Sequence, residues 1–399
     1  MFNRYTLWAF ASIFYAYQYI LRVLPNAINS EIVNKFNMGA TELGQFSGIY
    51  YLGYVLAHIP IGIMLDKLSS RIVLSLMCTL TCLGTASLVF SDHYIIAILG
   101  RFLVGVGSSA AIIGLFKITR ESFEENKYST FMGIAVTIGL SGAIFGGLPL
   151  EMLLKSFGWQ KSVLILIGIG IFTSICILIF AGGNKNTQAI SNIQIFSKDI
   201  FHPALITISI LAGLMVGPLE GFADVWSKRF LQEVYSLPPE NASFIASQIF
   251  IGMCFGASIL GYLARFISAP VIVILSGIIM TGAFGLSLSG SISPTTIIPL
   301  FISLGAFSAY QVVAISYAVT KVPASRAGVA SSVANMIIMA FGYVFHTVIG
   351  YAHDYSSKIT NNPKEQYLIS MGIIPIALTI AVSGFIVIYL RDKHKLSVK

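Results

Sequence analysis

Charge is scarce in this 399-residue chain: 10% of its residues are Asp, Glu, Lys or Arg, against about 25% in soluble domains. With so few charges and 56% hydrophobic residues, the chain lacks the polar surface to meet water on every side, which excludes an ordinary soluble protein. Cysteine is nearly absent as well. Cys78, Cys82, Cys176 and Cys254 all lie in apolar stretches without metal-ligand spacing, so neither a disulfide framework nor a metal site is expected. The sequence G-x-x-x-x-G-K-[ST] does not occur, which excludes a phosphate-binding loop of that kind, so any energy the protein uses must come from a gradient or from its substrate itself. No acid/base cluster points to an enzyme, and no cofactor is expected. The net charge of +8 is spread as islands between apolar runs, so nucleic acid is excluded as a partner.

Long apolar runs, by contrast, are plentiful. A helix needs about 20 apolar residues to cross a hydrocarbon core, and twelve such stretches can be counted: 6–28, 42–65, 71–90, 94–119, 128–153, 160–182, 203–229, 241–264, 270–289, 294–319, 327–351 and 367–390. The longer connections are 183–202 and 352–366. The first of these is polar and weakly periodic, as a linker between two halves would be. The expected fold is therefore an all-α integral membrane protein of twelve transmembrane helices in two six-helix bundles, residues 1–182 and 203–399. The first span has no cleavable small-residue site behind a short apolar core and reads as a retained helix. Placing the N-terminus in the cytoplasm gives that side fifteen Lys and Arg and the opposite side seven, so both termini and the linker are expected to be cytoplasmic. Six plus six spans about a cytoplasmic linker suit a transporter in a bacterial inner membrane, working as a monomer.

Three motifs carry a family resemblance. Between spans two and three stands Gly62-Ile-Met-Leu-Asp66-Lys67-Leu-Ser-Ser-Arg71, which resembles the G-x-x-x-D-[RK]-x-x-x-R signature of the major facilitator superfamily. Span four holds Gly100-Arg101-Phe-Leu-Val-Gly105-Val-Gly107 and span five holds Gly142-Ala143-Ile-Phe-Gly146-Gly147, similar to further motifs of that superfamily, although close helix packing explains such small residues equally well. The first signature implies a gate. Asp66 ends a helix where it can face the positive N-terminal end of span eleven, near Gly328, and pair with Lys117 or Arg120 at the end of span four. The alternative is a solvated charged turn. Span one, with Tyr15, Tyr17, Gln18, Tyr19, Leu21, Arg22, Pro25 and Asn26, together with Gln45, Tyr50, Tyr51, Tyr54 and Pro60 further along, resembles the anion:cation symporter branch. That resemblance implies an arginine holding a substrate carboxylate. The acids that the branch usually carries in its N-terminal half are replaced here by Leu21 and by a residue near Ser108.

An arginine at mid-membrane costs about 2.5–3.5 kcal/mol on insertion scales, so something polar must satisfy it. Arg22 shares a helical face with Tyr15, Gln18 and Tyr19, and its guanidinium fork suits a carboxylate. Its alternatives are snorkelling or pairing with a carbonyl at the Pro25 kink. Arg101 reads as a second substrate contact or as a snorkelling or structural residue. Tyr50, Tyr54, Tyr310 and Gln311 are the other candidates for the cavity lining, while most of the remaining aromatic residues are expected to face lipid. Span seven holds the intramembrane acids Glu220 and Asp224, with Lys228 continuing their four-residue ladder, and Gly217 and Pro218 are expected to break that helix. Glu220, and less strongly Asp224, are the candidate proton-coupling sites; Glu220 equally suits a substrate amine, and Asp224 a salt-bridged helix end. His58 and His346 can titrate in a cavity, but a lone histidine is more often a packing residue. These readings converge on a secondary active transporter that moves a small carboxylate-bearing solute (an organic anion, an amino acid or a short peptide) through the bilayer by proton symport. An exporter of drug-like or siderophore-like compounds and a transport-inactive sensor are the rivals.

Overall fold

The computed structural model describes residues 4–180, 202–323 and 326–397. The expected linker, residues 183–202, lies outside them except for His202. Among the described residues every element is helical, as apolar chain in lipid requires, because a helix satisfies its own backbone groups. Eleven helices are long and apolar enough to cross a membrane, and a bent pair makes a twelfth. The chain divides into two compact units, residues 1–193 and 194–399.

The first unit comprises α1 (Arg4–Ala27), α2 (Asn29–Phe36), α3 (Ala40–Lys67), α4 (Ser70–Phe90), α5 (Tyr94–Ser122), α6 (Glu125–Phe145), α7 (Leu148–Phe157) and α8 (Trp159–Phe180). Helix α5 packs on both α3 and α4, α1 packs on α6, and α4 packs on α8. Small residues make these approaches possible. A Cβ on Gly105 of α5 would collide with the Tyr50 backbone of α3, and one on Gly142 of α6 with the Ala16 backbone of α1. The glycines of the second and third motifs therefore serve helix contact. The fifth span is not the single helix expected over 128–153: it bends by 43° between α6 and α7, where Gly146 and Gly147 meet a proline in the first turn of α7. Pro149 has no N–H to continue the helical ladder.

The second unit comprises α9 (Pro203–Gly221), a π-helical turn (Phe222–Trp226), α10 (Ser227–Tyr235), α11 (Pro239–Leu263), α12 (Ala269–Ser287), α13 (Pro294–Ser308), α14 (Tyr310–Val319), α15 (Ala327–Ser356), α16 (Pro363–Met371) and α17 (Ile373–Ser397). Helix α9 packs on α15, α11 on α13, and α12 on α17. The expected break in span seven is absent. Pro218 sits inside α9, and the chain continues through the π turn into α10, so the span runs from Pro203 to Tyr235. The connection expected over 352–366 is likewise shorter, because α15 extends to Ser356 and α16 begins at Pro363, where the Asn362 side chain accepts from Lys364 N. Polar turns at both helix ends carry the spans beyond their apolar stretches.

Part of the aromatic complement is turned inward rather than toward the outside of the bundles. Tyr17, Tyr50, Tyr51, Tyr310, Phe14, Phe46, Phe222, Phe230, Phe284, Phe301 and Phe385 are among the largest fully buried side chains. Phe222 lies edge-on to Phe230, Phe284 and Phe301 at 5.4, 4.8 and 5.7 Å, an arrangement that matches the quadrupoles of aromatic rings.

Candidate functional site

In the first unit, α1 and α3 bring the expected site residues together. Gln18 and Arg22 are buried, one turn apart on α1. Gln18 Oε1 accepts from the Tyr50 hydroxyl at 2.6 Å. The Arg22 guanidinium carbon lies 5.2 Å from the ring centres of both Tyr19 and Tyr51, a desolvated arrangement in which each ring face is worth up to about 2 kcal/mol. Tyr15 and Tyr19 meet edge-on, with their hydroxyls 3.5 Å apart. Tyr50 stacks on Tyr54 at 6.2 Å, and Tyr54 leans on His58 at 5.5 Å. Tyr19, Tyr54 and His58 are half-buried.

Arg101 does not snorkel. It is 5% exposed, and its Nη1 and Nη2 donate to the carbonyls of Leu21 at 2.5 Å and Arg22 at 2.7 Å. Its guanidinium carbon also lies 4.9 Å from the Tyr50 ring centre. The carbonyl pairing foreseen as one alternative for Arg22 is thus made by Arg101.

The gate signature lies at the ends of α3 and α5. Lys117 Nζ donates to the Leu65 carbonyl in the last turn of α3 and sits 4.0 Å from Asp66 and 3.9 Å from Glu121. Between Lys117 and Arg120, the partner of Asp66 is Lys117. Lys67 is exposed and Arg71 half-buried. A Cβ on Gly62 would touch nothing, so packing does not demand a glycine there.

In the second unit, Glu220, Asp224 and Lys228 are 6%, 1% and 9% exposed, so all three are buried side chains. The strict four-residue ladder is interrupted, because Asp224 sits in the π turn, whose hydrogen bonds span five residues and rotate the phase of the helix beyond it. Such turns occur often at functional sites. Tyr310 is fully buried and donates to the Ala212 carbonyl at 2.7 Å, so its hydroxyl serves the α9–α14 contact. Gln311 Nε2 donates to Asn335 Oδ1 of α15 at 3.3 Å, and both are half-buried. His346 is buried and its Nδ1 donates to the Gly342 carbonyl one turn back at 2.7 Å, the pattern of a packing histidine.

Two residues that contact the candidate site residues are not evident as such from the sequence. Tyr51 belongs to the aromatic pattern of span two, but only the packing of both α1 and α3 on α5 shows that it faces Arg22. Asn335 carries a usable signal, as an amide inside the long apolar run of span eleven. Among the described residues, no group of three or more His, Cys, Asp or Glu is arranged to hold a metal ion.

Comparison with known proteins agrees with this layout. A Bacillus subtilis (strain 168) protein described as the uncharacterized transporter YybO is 24% identical over 377 residues, covering 86% of this chain and 86% of its own length. A probable L-galactonate transporter of Escherichia coli (strain K12) is 23% identical over 298 residues, covering 67% of this chain and 65% of its own. Among solved structures, the nucleoside transporter NupG superposes with a TM-score of 0.79 at 14% identity, covering 98% of this chain and 99% of that one. A bacterial homolog of the human lysosomal transporter Spinster, inward-facing and occupied, gives 0.75 at 17% identity, with 97% of each chain covered. At such identities these structures establish the fold alone. The family model of the Major Facilitator Superfamily matches residues 6–347, and the chain belongs to that superfamily.

Proposed function

We propose that this chain is a secondary active transporter that carries a small carboxylate-bearing solute across a bacterial cell membrane by alternating access, coupled to proton symport. Its two halves, 1–182 and 203–399, are joined by a cytoplasmic linker, and both termini are cytoplasmic. The observation that carries the reading is the concentration of positive charge inside the first unit. Arg22 and Arg101 are both buried, while the described acids of the same unit (Glu31, Glu42, Asp66, Asp92, Glu121, Glu124, Glu125 and Glu151) are all half-buried or exposed. Two guanidiniums held away from water favour the approach of an anion. The surrounding Tyr and Gln side chains offer hydroxyl, amide and ring faces for the body of a polar solute. Arg22 is the anchor, with Tyr15, Gln18, Tyr19, Tyr50 and Tyr54 lining its site. Glu220, seconded by Asp224, takes the proton. Asp66, with Gly62, Lys67 and Arg71, forms the cytoplasmic gate.

The relative described as a probable L-galactonate transporter supports a carboxylate, because galactonate is a polyhydroxylated monocarboxylate. The test is uptake by proteoliposomes under an imposed pH gradient, with L-galactonate, an amino acid, a dipeptide and a neutral nucleoside supplied in parallel. Acid-driven accumulation of one of the carboxylates is the expected result. Uptake of the nucleoside alone would overturn the anion reading.

A further inference from the structure

Pro25 lies inside α1 and has no N–H, so the Leu21 carbonyl four residues earlier loses its helical donor. An unsatisfied carbonyl in the apolar interior of a membrane span costs several kcal/mol. The donor comes from another helix: Arg101 Nη1 reaches Leu21 O at 2.5 Å, and Nη2 reaches the next carbonyl, that of Arg22, at 2.7 Å. The two parallel bonds use the planar fork of a guanidinium, which a lysine cannot reproduce. Arg101 is itself held in place. Gly100 beside it abuts the Gly84 backbone of α4, Gly105 one turn on abuts the Tyr50 backbone of α3, and the Tyr50 ring lies 4.9 Å from the guanidinium.

We propose that Arg101 is a positioning residue for Arg22: from α5 it restores the hydrogen bond that Pro25 removes from α1, and so fixes the backbone from which the Arg22 side chain projects. Its fork is committed to protein carbonyls, and the solute is met by Arg22. This assignment rests on the proposed anchor role of Arg22 only for its functional meaning; the linkage between Arg101 and Pro25 stands on its own.

The experiment is a double-mutant cycle on the full-length protein, read without any solute. Arg101→Gln should speed amide exchange of the α1 segment 19–27 by about tenfold or more, the scale of a lost hydrogen bond to a charged group, and should lower the melting temperature. It should also change the rate at which a cysteine introduced by Arg22→Cys reacts with a charged thiol reagent. Pro25→Ala supplies an N–H to Leu21 O, so in that background Arg101→Gln should lose at least half of each effect. Arg101→Lys, with a single ammonium nitrogen in place of the planar two-nitrogen fork, should fall between the parent and Arg101→Gln. An Arg101→Gln protein that folds only together with Pro25→Ala also supports the linkage. Additive effects, failure to fold in both backgrounds, or unchanged exchange in α1 would overturn it. Because no readout uses a carboxylate, failure of the Arg22 anchor would be seen separately, in binding.

Discussion

The Tyr50 hydroxyl donates to Gln18 Oε1 at 2.6 Å and thereby joins α3 to α1 at the level of Arg22. Both residues are buried, so the bond is shielded from water. Tyr50→Phe keeps the ring and leaves the Gln18 oxygen unsatisfied, at a cost of about 1–3 kcal/mol. The expected outcome is a lower melting temperature together with weaker solute binding. A Phe variant as stable as the parent would show that this bond contributes nothing net.

Arg22→Lys keeps the positive charge and loses the bidentate fork. Affinity for an accepted carboxylate should fall by about 1–3 kcal/mol, tenfold to a hundredfold, the usual scale for charge-assisted hydrogen bonds. Isothermal titration or thermal shift with that carboxylate measures it, and unchanged affinity would refute the anchor.

Glu220→Gln preserves the shape of a side chain that is 6% exposed and removes its titrating site. If Glu220 carries the coupled proton, the variant should still exchange labelled solute across the membrane but no longer accumulate it when the outside is made acidic. If it instead holds a substrate amine, exchange disappears as well. Concentrative uptake by the variant would exclude both roles.

Asp66→Asn removes the charge that faces Lys117 at 4.0 Å and leaves the Lys117 bond to the Leu65 carbonyl in place. Turnover should slow severely while binding from the outward side persists, because the change affects the proposed gate rather than the proposed solute site. Stopped-flow uptake beside equilibrium binding separates the two, and transport at the parental rate would remove Asp66 from the mechanism.

Ser268 and Ser357 are exposed and lie in connections that the positive-inside count assigns to opposite faces. A cysteine at position 357 should react with an impermeant reagent added to intact cells, and one at 268 only after permeabilisation. The reverse pattern would invert the proposed orientation.

Most of the fold is legible in the sequence because its signals are local. A span of about 20 apolar residues is visible in one dimension, and so is the six-plus-six count. The bend between α6 and α7 escapes a hydropathy reading although Gly146, Gly147 and Pro149 are in plain view, since hydropathy windows average over such residues. The π turn at Phe222–Trp226 escapes it for another reason: Gly217 and Pro218 advertise a break, yet α9 runs through both, packed on α15, and the departure from α-helix comes a few residues later. The candidate site is legible as residue types rather than as partnerships. Arg22, Gln18 and Tyr19 can be placed on one face by counting, whereas Tyr51 cannot.

The sequence by itself determined that this chain spans a membrane, how often it does so, and that Arg22, Arg101, Glu220 and Asp224 lie well inside its spans, because hydropathy and helical period depend only on neighbours along the chain. The tertiary structure decided what those charges touch. Arg101 meets the Leu21 and Arg22 carbonyls 80 and 79 residues away, and Lys117 meets Leu65 across 52. Such pairings depend on how each helix is rotated about its axis and how closely it approaches its neighbour, and both are set when glycines such as Gly105 and Gly142 let one backbone settle against another.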